Sequence, residues 1–251
     1  MVKFSVVILT RNEEENILDC LETLLSIDEV IIVDDNSQDR TLEIIKNQKT
    51  RKIKIYLRSL NLDFSKQRNF ALSKAKNDWV LFLDADERLS EDLVREIKSK
   101  IKKSNFEGFF IKRRDVLWGR KLTYGETGNI KLLRLARKNV GKWTGKVHEV
   151  WNVGGNIGEL DNELIHFPHQ KIREFLSEIS LYSSIRAEEL HQEKVRASAL
   201  DVILYPKAKF FLNYFLRLGF FDGLPGLIVA LMMSFHSFLV RAKLWLLQNE
   251  K

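Results

Sequence analysis

The chain of 251 residues has a single cysteine, Cys20, which excludes an intramolecular disulfide and fits a reducing compartment. Proline is scarce as well, with three residues and none before Pro168. Glycine is missing altogether until Gly108, and that absence excludes the most. A Rossmann dinucleotide turn and a P-loop both need glycines where the backbone approaches phosphate, and the first hundred residues supply none. With no glycine cradle, a metal is the expected carrier of any phosphate. There is no internal repeat or low-complexity segment, and Met1–Phe4 runs directly into a strand-like segment without a signal-peptide pattern.

Hydrophobic residues make up 45% and charged residues 30%, the composition of a folded globular chain with one large or two small domains. The net charge of +7 is unevenly placed. Residues 112–146 hold 11 Lys/Arg against Asp115 and Glu126, a net of +9, and residues 206–251 hold 6 against 2, a net of +4. Local basic charge of this kind marks either a solvated face or an anionic partner such as nucleic acid, anionic lipid or a phosphorylated substrate. No nucleic-acid recognition motif accompanies it, so nucleic acid is not expected.

Apolar runs at residues 3–10, 29–33, 53–57 and 79–83 read as strands buried on both faces, separated by helical periods. Such alternation predicts an α/β fold, a mostly parallel Rossmann-like sheet with flanking helices and right-handed crossovers. The strand at 80–83 runs straight into Asp84-Ala85-Asp86-Glu87. Bare carboxylates cannot be buried in it, so they belong just past its carboxyl end, where open α/β sheets bind ligands. Asp84 and Asp86 point to one side if extended, and paired hard oxygens suit Mg²⁺ or Mn²⁺ carrying phosphate. Alone, these acids fit helix capping equally well, since Ser90-Glu91 looks like a helix start. The same sheet edge, however, also gathers Thr10 and Arg11, then Asp34 and Asp35, with Arg68 opening the third helix. Two acidic strand ends with basic neighbours favour a nucleotide and metal site. A receiver domain or a haloacid dehalogenase-type phosphatase would need its acids after the first strand, which ends instead in Thr10-Arg11-Asn12.

Three motifs carry a resemblance: Ser5-Val-Val-Ile-Leu-Thr-Arg-Asn-Glu13, Val33-Asp-Asp-Asn-Ser-Gln-Asp-Arg-Thr41 and Phe82-Leu-Asp-Ala-Asp-Glu87. In this order and spacing they resemble glycosyltransferase family 2, with the GT-A fold. The resemblance implies an inverting enzyme that uses a nucleotide sugar and a divalent metal, Mg²⁺ or Mn²⁺. It implies that Thr10, Arg11, Asp34 and Asp35 lie at the donor nucleotide, with Arg68 near the base or diphosphate. It gives Asp84 and Asp86 as the metal pair, with Asp86 the direct ligand and Asp84 also a donor-side partner.

Further along, Trp118–Gly125 reads as a flexible basic loop, either a cover over the sugar or a plain hairpin connection. Gly145-Lys-Val-His-Glu-Val-Trp151, followed by Gly158-Glu-Leu and Leu164-Ile-His166, resembles the lipopolysaccharide core β-1,4-glucosyltransferase branch. An inverting transfer needs one general base beside the acceptor hydroxyl. Glu149 is the expected base, with His148 orienting it or touching the diphosphate. His166 or His169 completes the metal or donor site, or serves the entry to the following helix.

The last 46 residues differ in character, with nine aromatics, and Gly223–Val240 is 18 residues without a formal charge. Pro225, Gly226 and His236 interrupt that run. An aromatic, basic helical hairpin at the surface of an anionic membrane is expected, against the alternative of a core or dimer-forming helical pair. The expected division is a GT-A domain over 1–200 and an amphipathic, membrane-associated segment over 201–251. The expected activity is transfer of a hexose, glucose in that branch, from a UDP-sugar to a membrane glycolipid such as the lipopolysaccharide inner core. The protein would then be cytoplasmic and peripheral on the inner face of the cytoplasmic membrane. A polyprenyl-phosphate or polysaccharide glycosyltransferase, a nucleotidyltransferase and a noncatalytic scaffold are the competing readings.

Overall fold

The computed structural model describes residues 2–48, 52–61, 63–145, 149–168 and 170–249. The chain forms two compact units, Met1–Arg113 with Lys131–His166, and Arg114–Ile130 with Phe167–Lys251.

In the first unit, β1 (Phe4–Thr10), β2 (Glu29–Asp34), β3 (Ile53–Leu57) and β4 (Trp79–Asp84) run parallel in the order β3-β2-β1-β4. The helices α1 (Ile17–Glu22), α2 (Thr41–Lys46) and α3 (Phe64–Lys74) lie in the crossovers. Alternate strand residues divide between two cores, as a pleat of period two requires. Val6, Ile8, Ile32, Leu81 and Leu83 pack with Ile17 and Leu21 of α1 and with Leu93 and Ile97 of α4 (Glu91–Lys100). Val7, Ile31, Val33, Val80 and Phe82 pack with Ala71 and Leu72 of α3. Each such side chain contributes about 1.5–3 kcal/mol on burial. Ser90 caps α4 by accepting the Leu93 N–H, and Asp63 caps α3 by accepting that of Lys66.

Beyond β4 the sheet continues through β8 (Ile130–Arg137), β6 (Gly108–Leu117), β12 (Leu164–His166) and β5 (Glu87–Arg88), with β11 (Ile157–Glu159) also along β6. It is mixed there, with β8 antiparallel to β4, β5 antiparallel to β12 and β11 parallel to β6. A separate hairpin joins β9 (Gly141–Thr144) to β10 (Val150–Val153).

The second unit holds the end of β6, β7 (Arg120–Lys121) paired to it, and α5 (Ile172–Gln192), α6 (Ala199–Phe211) and α7 (Gly223–Asn249). Leu117, Leu122, Phe175, Ile179 and Val229 form one small core, and Ala187, Leu190, Ala197, Val240 and Leu244 another. This changes the expected boundary at 200/201. The helix α5 and the segment 114–130 share cores with α7, so the second unit takes in Arg114–Ile130 as well as Phe167–Lys251. Nor is Trp118–Gly125 a loose cover. Buried Asp222 accepts the N–H groups of Thr123 and Tyr124, and Glu126 accepts from Lys209 and Asn213. By length and composition, Gly219–Asn249 is long and apolar enough to cross a membrane.

Candidate active site

Strand register brings the predicted edge together. Thr10 of β1 sits opposite Asp34 of β2, and Leu9 opposite Asp84 of β4. The Thr10 hydroxyl donates to Asp34 at 2.9 Å, and the same carboxylate accepts the Ser37 N–H and hydroxyl. Asp34 is fully buried, where an unsatisfied charge would be very costly. Thr10 and Asp34, expected at the nucleotide, brace the strand end against the loop after β2. Asp35 is the next carboxylate out. It pairs with solvent-facing Arg11 at 3.0 Å and accepts the Leu60 N–H at 2.8 Å.

At the end of β4 the two aspartates part company. Asp84 faces two guanidinium groups, Arg134 from β8 and Arg68 from α3. Burial opposes charge on Asp84, but Arg134 and Arg68 outweigh it and hold the carboxyl well below the usual range. Glu87 turns back beneath the strand, fully buried, and accepts the Asp84 N–H at 2.9 Å. Burial pushes its pKa up to about 7. Asp86 instead points to His166 of β12, 3.1 Å from Nε2. Glu13, after β1, is pushed up to about 7 by burial and by the nearby charges of Asp86, Asp84 and Asp39.

This geometry tests the metal expectation. A cation on Asp84 would meet Arg134 and Arg68 at close range, which opposes the paired use of Asp84 and Asp86 that strand parity suggested. Asp86 and His166 offer an oxygen and a nitrogen together. Mg²⁺ or Mn²⁺ can take its remaining positions from phosphate and water. Among the described residues no cluster of three or more His, Cys, Asp or Glu is arranged to hold a metal. The residues present thus fit a two-ligand site on Asp86 and His166.

Glu149 joins the same group from the β9–β10 hairpin. Arg68 Nε donates to its Oε1 at 2.8 Å, and Arg68 Nη2 lies 3.3 Å from Asp84 Oδ1. Hydrogen bonds from Asn69 hold the hairpin against α3. The Arg68 guanidinium lies over Trp143 at 4.7 Å and near Phe82 at 5.5 Å. Trp143 stacks on Trp151 beside it, with Phe82 edge-on to both. His148 and His169 lie outside the described residues. An open basin of about 720 Å³ sits beside Lys3, Lys76, Asn77 and Arg137, at the amino ends of β1 and β4. Ligands of open α/β sheets bind at the other end.

Sequence reasoning placed Thr10, Arg11, Asp34, Asp35, Asp84 and Asp86 at one sheet edge with Arg68 beside it, and expected Glu149 and His166 from resemblance; in the structure Arg68 contacts Asp84 and Glu149, and Asp86 contacts His166. Sequence reasoning missed Arg134 and Asn69. A strand arginine between Leu133 and Leu135 gave no sign of burial against Asp84 and Glu87, because only the β4–β8 pairing supplies the partners.

The sheet order, the acids at the carboxyl end of β4 and the returning antiparallel strands define a GT-A-type nucleotide-sugar glycosyltransferase fold. A family model described as Glycosyl transferase family 2 matches residues 5–154, and the chain belongs to that family. It is similar to the lipopolysaccharide core biosynthesis glycosyltransferase LpsC of Rhizobium meliloti (strain 1021), at 29% identity over 248 residues, 96% of this chain and 91% of that protein. An uncharacterized glycosyltransferase of Rickettsia typhi is 29% identical over 258 residues, covering 97% of this chain and 87% of the relative. The crystal structure of Staphylococcus aureus TarS 1–349 in complex with UDP-GlcNAc shares the fold, with TM-score 0.53 and 19% identity over 94% of this chain and 82% of that one.

Proposed function

We propose that the protein is an inverting hexosyltransferase that moves glucose from a UDP-sugar to a membrane glycolipid, with the lipopolysaccharide inner core as acceptor. The observation that carries this reading is the chain of hydrogen bonds from Glu149 through Arg68 to Asp84, with the Asp86–His166 pair two residues further on. Glu149 accepts the proton of the acceptor hydroxyl as its oxygen attacks the anomeric carbon, and UDP departs with the bonding electrons from the opposite face. Asp86 and His166 would hold a divalent ion, whose charge offsets that developing on the diphosphate. Arg11 and Asp35 face the nucleotide, with Thr10 and Asp34 bracing the loop beneath them. The likeness to LpsC along most of both chains supports a lipopolysaccharide acceptor.

Leu204, Tyr205, Phe211, Phe215, Phe221 and Leu224 of the second unit are exposed, and Lys207 and Arg217 lie among them exposed as well. Exposed aromatic and basic residues along this stretch suit the headgroup region of an anionic leaflet. They support peripheral attachment to the inner face of the cytoplasmic membrane.

Calorimetry with UDP-, GDP- and dTDP-sugars in the presence of Mn²⁺ tests the donor class. UDP-sugar binding is expected, and binding of none would overturn the reading. Glu149→Gln should keep UDP binding and lose transfer, and a near-wild-type rate would place the base elsewhere.

A further inference from the structure

We propose that Arg68 couples the base to the donor. One guanidinium serves both Glu149 and the incoming diphosphate, so the two anions compete for it, and donor binding draws it away from the carboxylate that must receive the acceptor proton. The inference rests on the reading of Glu149 as base and of the β4 edge as the diphosphate site.

Four observations lead there. Arg68 touches both halves of the site, Glu149 through Nε and Asp84 through Nη2. Asp84 keeps a closer partner without it, because Arg134 also pairs with that carboxylate and the Arg68 contact is a long 3.3 Å. Arg68 Nη1 is buried and has no acceptor among the described residues. A buried N–H without a partner is costly, and an arriving oxyanion removes that cost. Finally, the guanidinium lies over the Trp143 ring at 4.7 Å, with the Phe82 ring 5.5 Å away. A flat cation on aromatic faces can turn in its own plane and exchange acceptors while keeping those contacts.

Shared use of one cation makes the Glu149 charge and diphosphate binding antagonistic, and such coupling is reciprocal. UDP affinity in the presence of Mn²⁺ reads it directly, without turnover. Glu149→Gln is expected to tighten UDP binding roughly five-fold or more. In an Arg68→Gln background the same change is expected to have less than about a two-fold effect. Glu149→Asp separates this coupling from simple repulsion between carboxylate and phosphate. It keeps the charge but is one methylene too short for the 2.8 Å contact, so it should also tighten UDP. It leaves Arg68 in place, so the test survives if Arg68→Gln fails to fold. Unchanged affinity in Glu149→Gln and Glu149→Asp, or equal tightening with and without Arg68, would overturn the coupling while leaving the glycosyltransferase reading intact. Failure of the wild-type protein to bind UDP at all would overturn both.

Discussion

Asn69 grips Trp143 by both of that residue's backbone groups. Its Nδ2 donates to the Trp143 carbonyl at 2.8 Å and its Oδ1 accepts the Trp143 N–H at 3.0 Å. The next residue back, Arg68, holds Glu149, the residue before β10. Two consecutive residues of α3 thus fix the hairpin strand at one point and the proposed base at another. Asn69→Ala should lower stability by about 1–3 kcal/mol. It should also reduce kcat while the Kd for UDP changes little. Asn69→Asp keeps the acceptor but opposes the carbonyl, so it should fall between. Steady-state kinetics beside calorimetry check this. A loss confined to UDP affinity would move the role of Asn69 to the donor pocket.

Asp86 and Asp84 should respond differently to loss of charge. Asp86→Asn should remain folded, bind UDP more weakly in Mn²⁺, and lose turnover by roughly a hundred-fold or more, the scale of a charge-stabilising group at a reacting centre. Metal-independent activity surviving that change would sink the metal role of Asp86.

Arg134 is buried against Asp84 and the fully buried Glu87, and Asp84 and Glu87 keep it charged in spite of that burial. Arg134→Met removes the cation and leaves the acids, so a destabilisation of about 3–5 kcal/mol is expected. Arg134→Lys should recover only part, because an ammonium lacks the planar fork. Urea denaturation of the three proteins measures both changes.

Glu29 provides a pH signature away from the site. Its carboxylate accepts from Lys54, from the Ser5 hydroxyl and from the Lys76 N–H. Burial opposes the charge, but these donors outweigh it and lower the pKa from the ordinary 4.5. A folded-state value below the unfolded one gives stability that is present above about pH 4.5 and is lost as pH falls through the folded value. Glu29→Gln should therefore cost about 1–3 kcal/mol at pH 7 and progressively less in acid below pH 4.5. Thermal melts across that range test it, and a difference that does not shrink in acid would exclude this role.

Replacing Phe211, Phe215 and Phe221 by serine removes three exposed rings of the second unit. Flotation with phosphatidylglycerol vesicles should fall sharply, and wild-type protein should float less with phosphatidylcholine alone. Equal flotation of variant and wild type would exclude this surface as the attachment.

The sequence by itself determined the parallel half of the sheet, since strands buried on both faces must be continuous apolar runs. It also determined which edge holds the chemistry, because acids can follow such strands but cannot lie within them. Local pattern was enough for both. Tertiary structure decided how the acids are used. Sequence spacing treats Asp84 and Asp86 as equivalent. The pairing of β8 beside β4 puts Arg134 against Asp84, and the pairing of β12 with β5 puts His166 beside Asp86. Asp34 likewise reads as a ligand-facing acid until the fold buries it under Thr10 and Ser37. A carboxylate's role depends on the charge and hydrogen bonds around it, and for Asp84 and Asp86 residues 50 and 80 positions away supply those. The two compact units likewise follow which apolar faces meet, and composition along the chain does not record that.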